Sequence, residues 1–257
     1  MSTAAVPVAD DTRMSLMEHL TELRDRIIKI VVAVVIGMAI SFLLYDQIFD
    51  FLLDPYLKNC PPNSVSDCKL LALDPLEGFG VRMKLATYGG IFIAMPVILW
   101  QLWRFITPGL YAHEKRYAIP FMVSALTLFL TGAGIAYYTL PQALNFLQDI
   151  GGDNIATAYA PSKYFTLISY MMLAFGIGFE FPIVLVFAQM MGVITPGQLR
   201  QVRRYAIVGI CVLVAVITPS GDPISMLMLA VPMCLFYELS IIIGRVLARR
   251  KTAAAPS

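Results

Sequence analysis

The sequence predicts an all-α polytopic membrane protein with six transmembrane helices. Of its 257 residues, 58% are hydrophobic and 14% are charged, and the mean hydropathy is +0.74. Soluble domains carry about 25% charged residues. The apolar residues fall in runs near the roughly 20 residues that a helix needs to cross a bilayer. These runs cover about residues 27–45, 79–100, 117–140, 164–191, 205–217 and 224–244.

Two of these runs have unusual features. The fifth, at about 13 residues, gives a helix of only about 20 Å at 1.5 Å per residue. The turn sequence Thr-Pro-Ser-Gly-Asp-Pro at 218–223 follows it directly. We therefore expect the last two helices to be short and to form a hairpin. The second run begins with Arg82 and Lys84, whose charged ends must snorkel or sit in water.

The distribution of basic residues predicts the orientation. With the six runs in place, 14 of the 19 Lys and Arg residues fall on one side, which the positive-inside rule makes cytoplasmic. Both termini are then cytoplasmic, as an even number of crossings requires. We expect one membrane domain over residues 1–257, with flexible tails at 1–13 and 246–257 and an amphipathic cytoplasmic lead-in at 14–26.

The lead-in contains the sequence Glu-His-Leu-Thr-Glu-Leu-Arg-Asp-Arg at 18–26, next to a charge-free stretch at 30–45. Ser15 and Glu18 match a capping box, which predicts that the helix begins at Ser15. Glu22 and Arg26 have the i,i+4 spacing of a favourable ion pair. This pattern is typical of a solvated segment whose charges set topology. It is also compatible with a recognition surface at the membrane edge.

Two further carboxylates require explanation. Glu114, in the loop between the second and third runs, lies on the same predicted side as Glu22; it either favours a helix N-terminus or adds a second carboxylate to a recognition surface. Glu180 lies inside the fourth run, where a charge costs about 2.5–3.5 kcal/mol on insertion scales. Pro182 removes a helical hydrogen bond there. Glu180 is therefore either protonated and bonded to a neighbouring helix or part of a hydrated concavity.

The cysteines and the missing motifs limit the chemistry. Cys60 and Cys68 lie in the first outer loop, 46–78, where an oxidising environment makes a disulfide plausible. Cys211 and Cys234 lie in apolar runs, where we expect buried packing residues. The sequence has no phosphate-binding loop and no catalytic or metal-binding pattern. We therefore expect neither an enzyme nor a cofactor or metal site.

Four segments together resemble the TatC family. They are His-Leu-Thr-Glu-Leu-Arg at 19–24, Phe-Ile-Thr-Pro-Gly-Leu-Tyr-Ala-His-Glu at 105–114, Phe-Glu-Phe-Pro at 179–182, and Thr-Pro at 218–219 with Asp222. TatC is the multi-spanning receptor subunit of the twin-arginine (Tat) translocase. The resemblance covers about residues 14–245. It implies a concave, glove-like helical scaffold in the inner (cytoplasmic) cell membrane, which binds paired-arginine signal peptides of folded cargo. It also implies that the proton gradient drives export.

The resemblance also implies roles for individual residues and partners. The partners are single-span TatA- and TatB-type subunits, signal peptides and further copies in a larger complex, with no nucleic acid. Met226 departs from the Gln that members often carry at that place. The implied roles are signal-peptide binding for Glu22, Arg24, Phe105 and Glu114, an intramembrane polar group for Glu180, partner-helix docking for Thr218, and outer-loop structure for Pro55 and Asp222.

One alternative function comes from a different class. A proton-coupled secondary transporter of a small solute could be built around Glu180. Such transporters tend to have paired halves whose broken helices meet at the midplane. The sequence has no internal repeat of that kind, so it favours the translocase subunit.

Overall fold

The structure, a computed structural model, describes residues 16–58, 70–106, 118–151, 159–219 and 221–253. Within these ranges the chain forms nine α-helices and no strand, which confirms the all-α prediction. The helices are α1 (Leu16–Leu43), α2 (Tyr45–Lys58), α3 (Glu77–Ile106), α4 (Ala118–Gly151), α5 (Pro161–Phe179), α6 (Phe181–Met190), α7 (Pro196–Gln201), α8 (Arg203–Ile217) and α9 (Pro223–Ala253).

Five described segments are long and apolar enough to cross a membrane: Leu20–Leu43, Glu77–Phe105, Ile119–Gly151, Pro161–Met190 and Pro223–Val246. The remaining predicted span, the fifth run, forms α8, which has 15 residues and is short as expected. The expectation that the last helix is also short is wrong, because α9 has 31 residues. Pro232 lies inside α9 without ending it, and no proline follows before Ala253. Residues 246–253 of the expected flexible tail are therefore helical.

The fourth span is two helices that meet at Glu180. Helix α5 ends at Phe179 and α6 begins at Phe181. The backbone N–H of Glu180 donates to the carbonyl of Ile177 at 3.0 Å, a tighter turn than the α-helical one. Pro182 has no N–H and cannot continue the helical hydrogen-bond pattern. The apolar run 164–191 is therefore interrupted beside Glu180, the only acidic residue in that run.

Two segments that follow predicted spans on the outer side also contain helix. Helix α2 fills residues 45–58 because its acidic residues recur every four positions on one face, while Leu52, Pro55 and Tyr56 are buried on another. The hydroxyl of Tyr164 donates to the carbonyl of Leu52 at 2.7 Å and ties α2 to α5. Helix α4 continues through Pro141 to Gly151, past the expected end of the third span.

The charged residues at the start of α3 find partners close by. The guanidinium of Arg82 lies 4.6 Å from the ring centre of Phe42 and 4.7 Å from that of Tyr45. The ammonium of Lys84 donates to the hydroxyl of Ser162 at 2.5 Å. Such cation–π and hydrogen-bond contacts offset the cost of placing a charge at the edge of an apolar span.

Helices α1 and α3 are in backbone contact where two glycines face each other. A Cβ atom on Gly37 would lie 2.5 Å from the carbonyl oxygen of Gly90. A Cβ atom on Gly90 would lie 2.6 Å from the backbone nitrogen of Met38. Only glycine permits such an approach, as in small-residue helix crossings in membranes. Further toward the N-terminus of α1, Arg26 contacts Gln101 near the C-terminal end of α3, so the two helices run side by side in opposite directions.

The core lies among α4, α5 and α9. Gly176 on α5 permits close packing, since its Cβ would lie 2.5 Å from the ring of Phe129 on α4. Near the middle of α9 the hydroxyl of Tyr237 donates to the carbonyl of Leu199 at 2.6 Å, and Arg203 forms an ion pair with Glu238. The largest fully buried core side chains include Phe129, Leu140, Phe165, Ile168, Met171, Phe175, Phe179, Leu229 and Met233.

Candidate functional site

The helix crossing at the two glycines brings side chains of α1 and α3 together at one end of the bundle. Arg26 forms an ion pair with Oε1 of Glu22 through its Nη2 atom. Its Nη1 atom donates to the carbonyl of Gln101 at 3.2 Å. The guanidinium carbon lies 6.0 Å from the ring centre of Phe105. A predicted acid and a predicted aromatic residue are thus joined through one arginine.

This ion pair is more enclosed than an ordinary pair on a helix surface. The side chain of Arg26 is 12% exposed and that of Glu22 is 25% exposed. Exposed i,i+4 pairs contribute little because water screens them, whereas charges removed from water interact more strongly. The i,i+4 spacing predicted the pair. Its contact with α3 was missed, because sequence spacing carries no information about a neighbouring helix.

Arg24 lies away from this group. It is two residues from Glu22, a rotation of roughly 200° about the helix axis. Its guanidinium pairs with Asp25 at 3.0 Å, and the two side chains are 69% and 53% exposed. Asp25 therefore pairs with its neighbour and not with Lys29, the partner that the spacing suggests. The structure does not bring Arg24 next to Glu22.

Several predicted residues lie outside the described part of the chain. Glu114, Cys60 and Cys68 are among them, so their geometry enters no argument below. Ser15, the predicted helix cap, is also outside the described residues, and Leu16, the first of them, is already helical.

Glu180 occupies the break between α5 and α6. Its Oε1 atom is buried and has no hydrogen-bond partner in the described part of the protein. Gly178, on the preceding turn, faces α9, since its Cβ would lie 3.2 Å from the side chain of Leu229. The structure therefore gives no support to the first of the two alternatives, a protonated Glu180 that hydrogen-bonds to a neighbouring helix. It leaves a polar oxygen inside the membrane-spanning part that can still accept a hydrogen bond.

The turn between α8 and α9 is held by its own polar side chains. The hydroxyl of Thr218 is buried and donates to the carbonyl of Val214 at 2.8 Å. Asp222 accepts from the N–H of Ser225 at 2.7 Å, as a helix N-cap does. Gly221 has a φ of +60°, a conformation that favours glycine. These contacts shape a tight hairpin.

The two described cysteines differ from the prediction. Cys211 on α8 is exposed at the protein surface, and Cys234 on α9 is half-buried. The expectation of two buried packing residues is therefore wrong for Cys211. An apolar run does not reveal which of its faces is turned toward other helices and which toward lipid.

Comparison with known sequences identifies a protein family that this chain matches over most of its length. A family model described as TatC, the Sec-independent protein translocase protein, matches residues 18–232. The chain is 42% identical over 241 residues to the protein of that name from Aquifex aeolicus, a match that covers 93% of this chain and 98% of that one. It is 38% identical over 248 residues to the Frankia casuarinae protein, with 94% and 68% covered.

Solved structures agree with the sequences. A crystal structure of the twin-arginine translocase receptor TatC superposes on this chain with a TM-score of 0.73 at 40% identity. The match covers 89% of this chain and 99% of that one. A second crystal structure of the same receptor, in the detergent DDM, gives a TM-score of 0.74 at 40% identity, with 88% and 99% covered.

Proposed function

This chain belongs to the TatC family of Sec-independent protein translocases, and on that basis we propose that it is the signal-peptide receptor and core scaffold of a twin-arginine translocase. It is a multi-pass membrane protein and a translocase component, in a family that transports proteins and is not known for catalysis. In the proposed role it recognises paired-arginine signal peptides on folded cargo, and the proton motive force drives export.

The observation that supports the receptor role is the guanidinium contact of Glu22. Its carboxylate is partly buried, and it already pairs with an arginine beside the aromatic ring of Phe105. Arginine binds carboxylates in a two-pronged geometry that lysine cannot copy. Two peptide arginines require two carboxylates, and we propose Glu22 and Glu114 for them, with Phe105 in the same surface and Arg24 contacting the peptide from its exposed position on another face of α1.

The remaining predicted residues belong to the scaffold and its partners. We propose that single-span TatA- and TatB-type helices dock on α8, whose side chains Val208, Val212 and Val216 are exposed and apolar. The buried Thr218 ends that helix and keeps the docking surface short. Pro55 and Asp222 support the outer side, and further copies of the chain join a larger complex.

The orientation and the role of Glu180 complete the proposal. The excess of basic residues on one side favours cytoplasmic termini in the inner membrane. The Glu180 oxygen that has no partner among the described residues favours a hydrated region beneath the docked peptide. The family match supports the translocase role and gives no support to the small-solute transporter that the sequence left as an alternative.

The receptor role predicts selective peptide binding. In detergent, the purified chain should bind a fluorescent signal peptide with an Arg-Arg pair at least tenfold more tightly than the same peptide with Lys-Lys, because a two-pronged charged contact is lost. Fluorescence anisotropy measures both affinities. Co-purification of small single-span proteins would support the scaffold role. Equal affinity for the two peptides contradicts the receptor role.

The cysteine pair predicts a separate result. Because Cys60 and Cys68 lie in a loop that we place on the oxidising side, we expect them to form a disulfide. Mass spectrometry of non-reduced, digested protein should then detect a linked peptide that reduction removes. Alkylation of both thiols without prior reduction is incompatible with the disulfide.

A further inference from the structure

Arg26 presents to Glu22 the same chemical group that a signal-peptide arginine would present. Its guanidinium makes three contacts: the carboxylate of Glu22, the carbonyl of Gln101 and the ring of Phe105. With a side chain 12% exposed, it is an enclosed part of the site. A carboxylate oxygen that an incoming arginine needs is thus already in contact with an arginine of the receptor itself.

Arg26 has two opposite effects on an incoming cation. It holds the carboxylate of Glu22 in place, and ordering one side chain alters affinity by about two- to tenfold. It also occupies that carboxylate with a positive charge. A unit charge at about 4 Å alters affinity by roughly fivefold in water and by up to about a thousandfold at the effective dielectric of a protein surface. Since the pair is partly buried, the electrostatic effect is the larger one.

We propose that Arg26 is the resting occupant of the Glu22 carboxylate and that a signal-peptide guanidinium binds by displacing it, an inference that rests on the receptor role proposed above. The hydrogen bond to Gln101 and the ring of Phe105 keep Arg26 in the site after it leaves Glu22. The displacement disfavours every cationic ligand by the same factor. Arg26 therefore determines the overall affinity for cationic peptides. The carboxylates determine the preference for arginine over lysine.

The test compares peptide affinities of full-length variants in detergent, with the fluorescent Arg-Arg peptide as the probe. Arg26→Gln should bind about tenfold more tightly than the wild type, because the competing charge is gone. Arg26→Lys, which keeps the charge, should stay within about threefold of the wild type. Lys29→Gln removes the same charge from an exposed position one turn away and should leave the affinity unchanged. In a Glu22→Gln background, Arg26→Gln should give no gain.

Unchanged or weaker binding by folded Arg26→Gln overturns the proposal, as does a gain that persists without the Glu22 carboxylate. In both cases selective binding by the wild type leaves the receptor role intact. Absence of Arg-Arg binding in the wild type and all variants overturns both. If Arg26→Gln does not purify as a folded protein, Arg26→Met keeps the aliphatic packing and carries the same expectation.

Discussion

Glu22→Gln should weaken binding of an Arg-Arg signal peptide by about ten- to a hundredfold, because a charged hydrogen bond contributes about 1.5–3 kcal/mol. Glutamine keeps the size of the side chain and can still accept from Arg26, so the loss reports the charge. Fluorescence anisotropy with the purified protein in detergent measures the effect.

A matched control variant distinguishes the loss of a specific contact at Glu22 from a general change in the electrostatic field of α1. Asp25→Asn removes one negative charge from an exposed pair three residues along the same helix. It should change peptide affinity by less than about twofold, as expected for a screened surface charge. Equal losses in the two variants would indicate a nonspecific electrostatic effect, and unchanged affinity in Glu22→Gln would remove Glu22 from the site.

Glu114 provides the second half of the same prediction. If each peptide arginine uses one carboxylate, Glu114→Gln should give a loss similar to that of Glu22→Gln. The double variant should then bind Arg-Arg and Lys-Lys peptides with equal, weak affinity. If the double variant still prefers the Arg-Arg peptide, groups other than Glu22 and Glu114 recognise the two arginines.

Gly90→Val should both destabilise the protein and weaken peptide binding. A Cβ atom at residue 90 would lie 2.6 Å from the backbone nitrogen of Met38, so α1 and α3 must move apart. Overpacking of this kind costs about 1–3 kcal/mol, which corresponds to a fall in melting temperature on the order of 5 °C. Peptide binding should fall as well, since the two helices carry Glu22 and Phe105.

Gly134→Val is the control for Gly90→Val. Gly134 lies in α4, and a Cβ atom there would meet no described atom within 4 Å. Since valine has a somewhat higher helix propensity than glycine, Gly134→Val should leave stability unchanged or raise it by less than about 1 kcal/mol. Thermal unfolding in detergent compares the variants. Equal melting temperatures for Gly90→Val and Gly134→Val would show that the helix crossing tolerates separation.

Much of the architecture could be predicted because the length of an apolar run and the position of turn-forming residues are local properties of a sequence. The six apolar runs, the short α8 and the turn with Asp222 all follow from such local signals. The break at Glu180 was predicted less completely, since Pro182 indicated a lost hydrogen bond, and only the structure divides the span into α5 and α6. The lengths of α9 and α4 were underestimated, because α9 continues past the end of its apolar run at residue 244 and Pro141 lies inside α4 without ending it.

The candidate site was predicted only in part. Glu22 and Phe105 were identified from a family resemblance, and the pairing of Glu22 with Arg26 from helical spacing. The link between them through Arg26 could not be predicted, because it depends on how α1 lies against α3. Arg24 shows the limit of a motif, which groups it with Glu22 by sequence, while the helix turns the two side chains to different faces. Its role in peptide binding stays a prediction.

The sequence by itself determined that this protein is a helical membrane protein of the TatC family, with acids in unusual places, because hydropathy, charge and motifs are properties of the chain alone. Only the tertiary structure decided which groups meet. The packing of α1 against α3, close enough for Gly37 to meet Gly90, lets Arg26 contact both Glu22 and the end of α3. Contacts between distant segments depend on helix packing, and no local pattern encodes the rotation at which two helices meet.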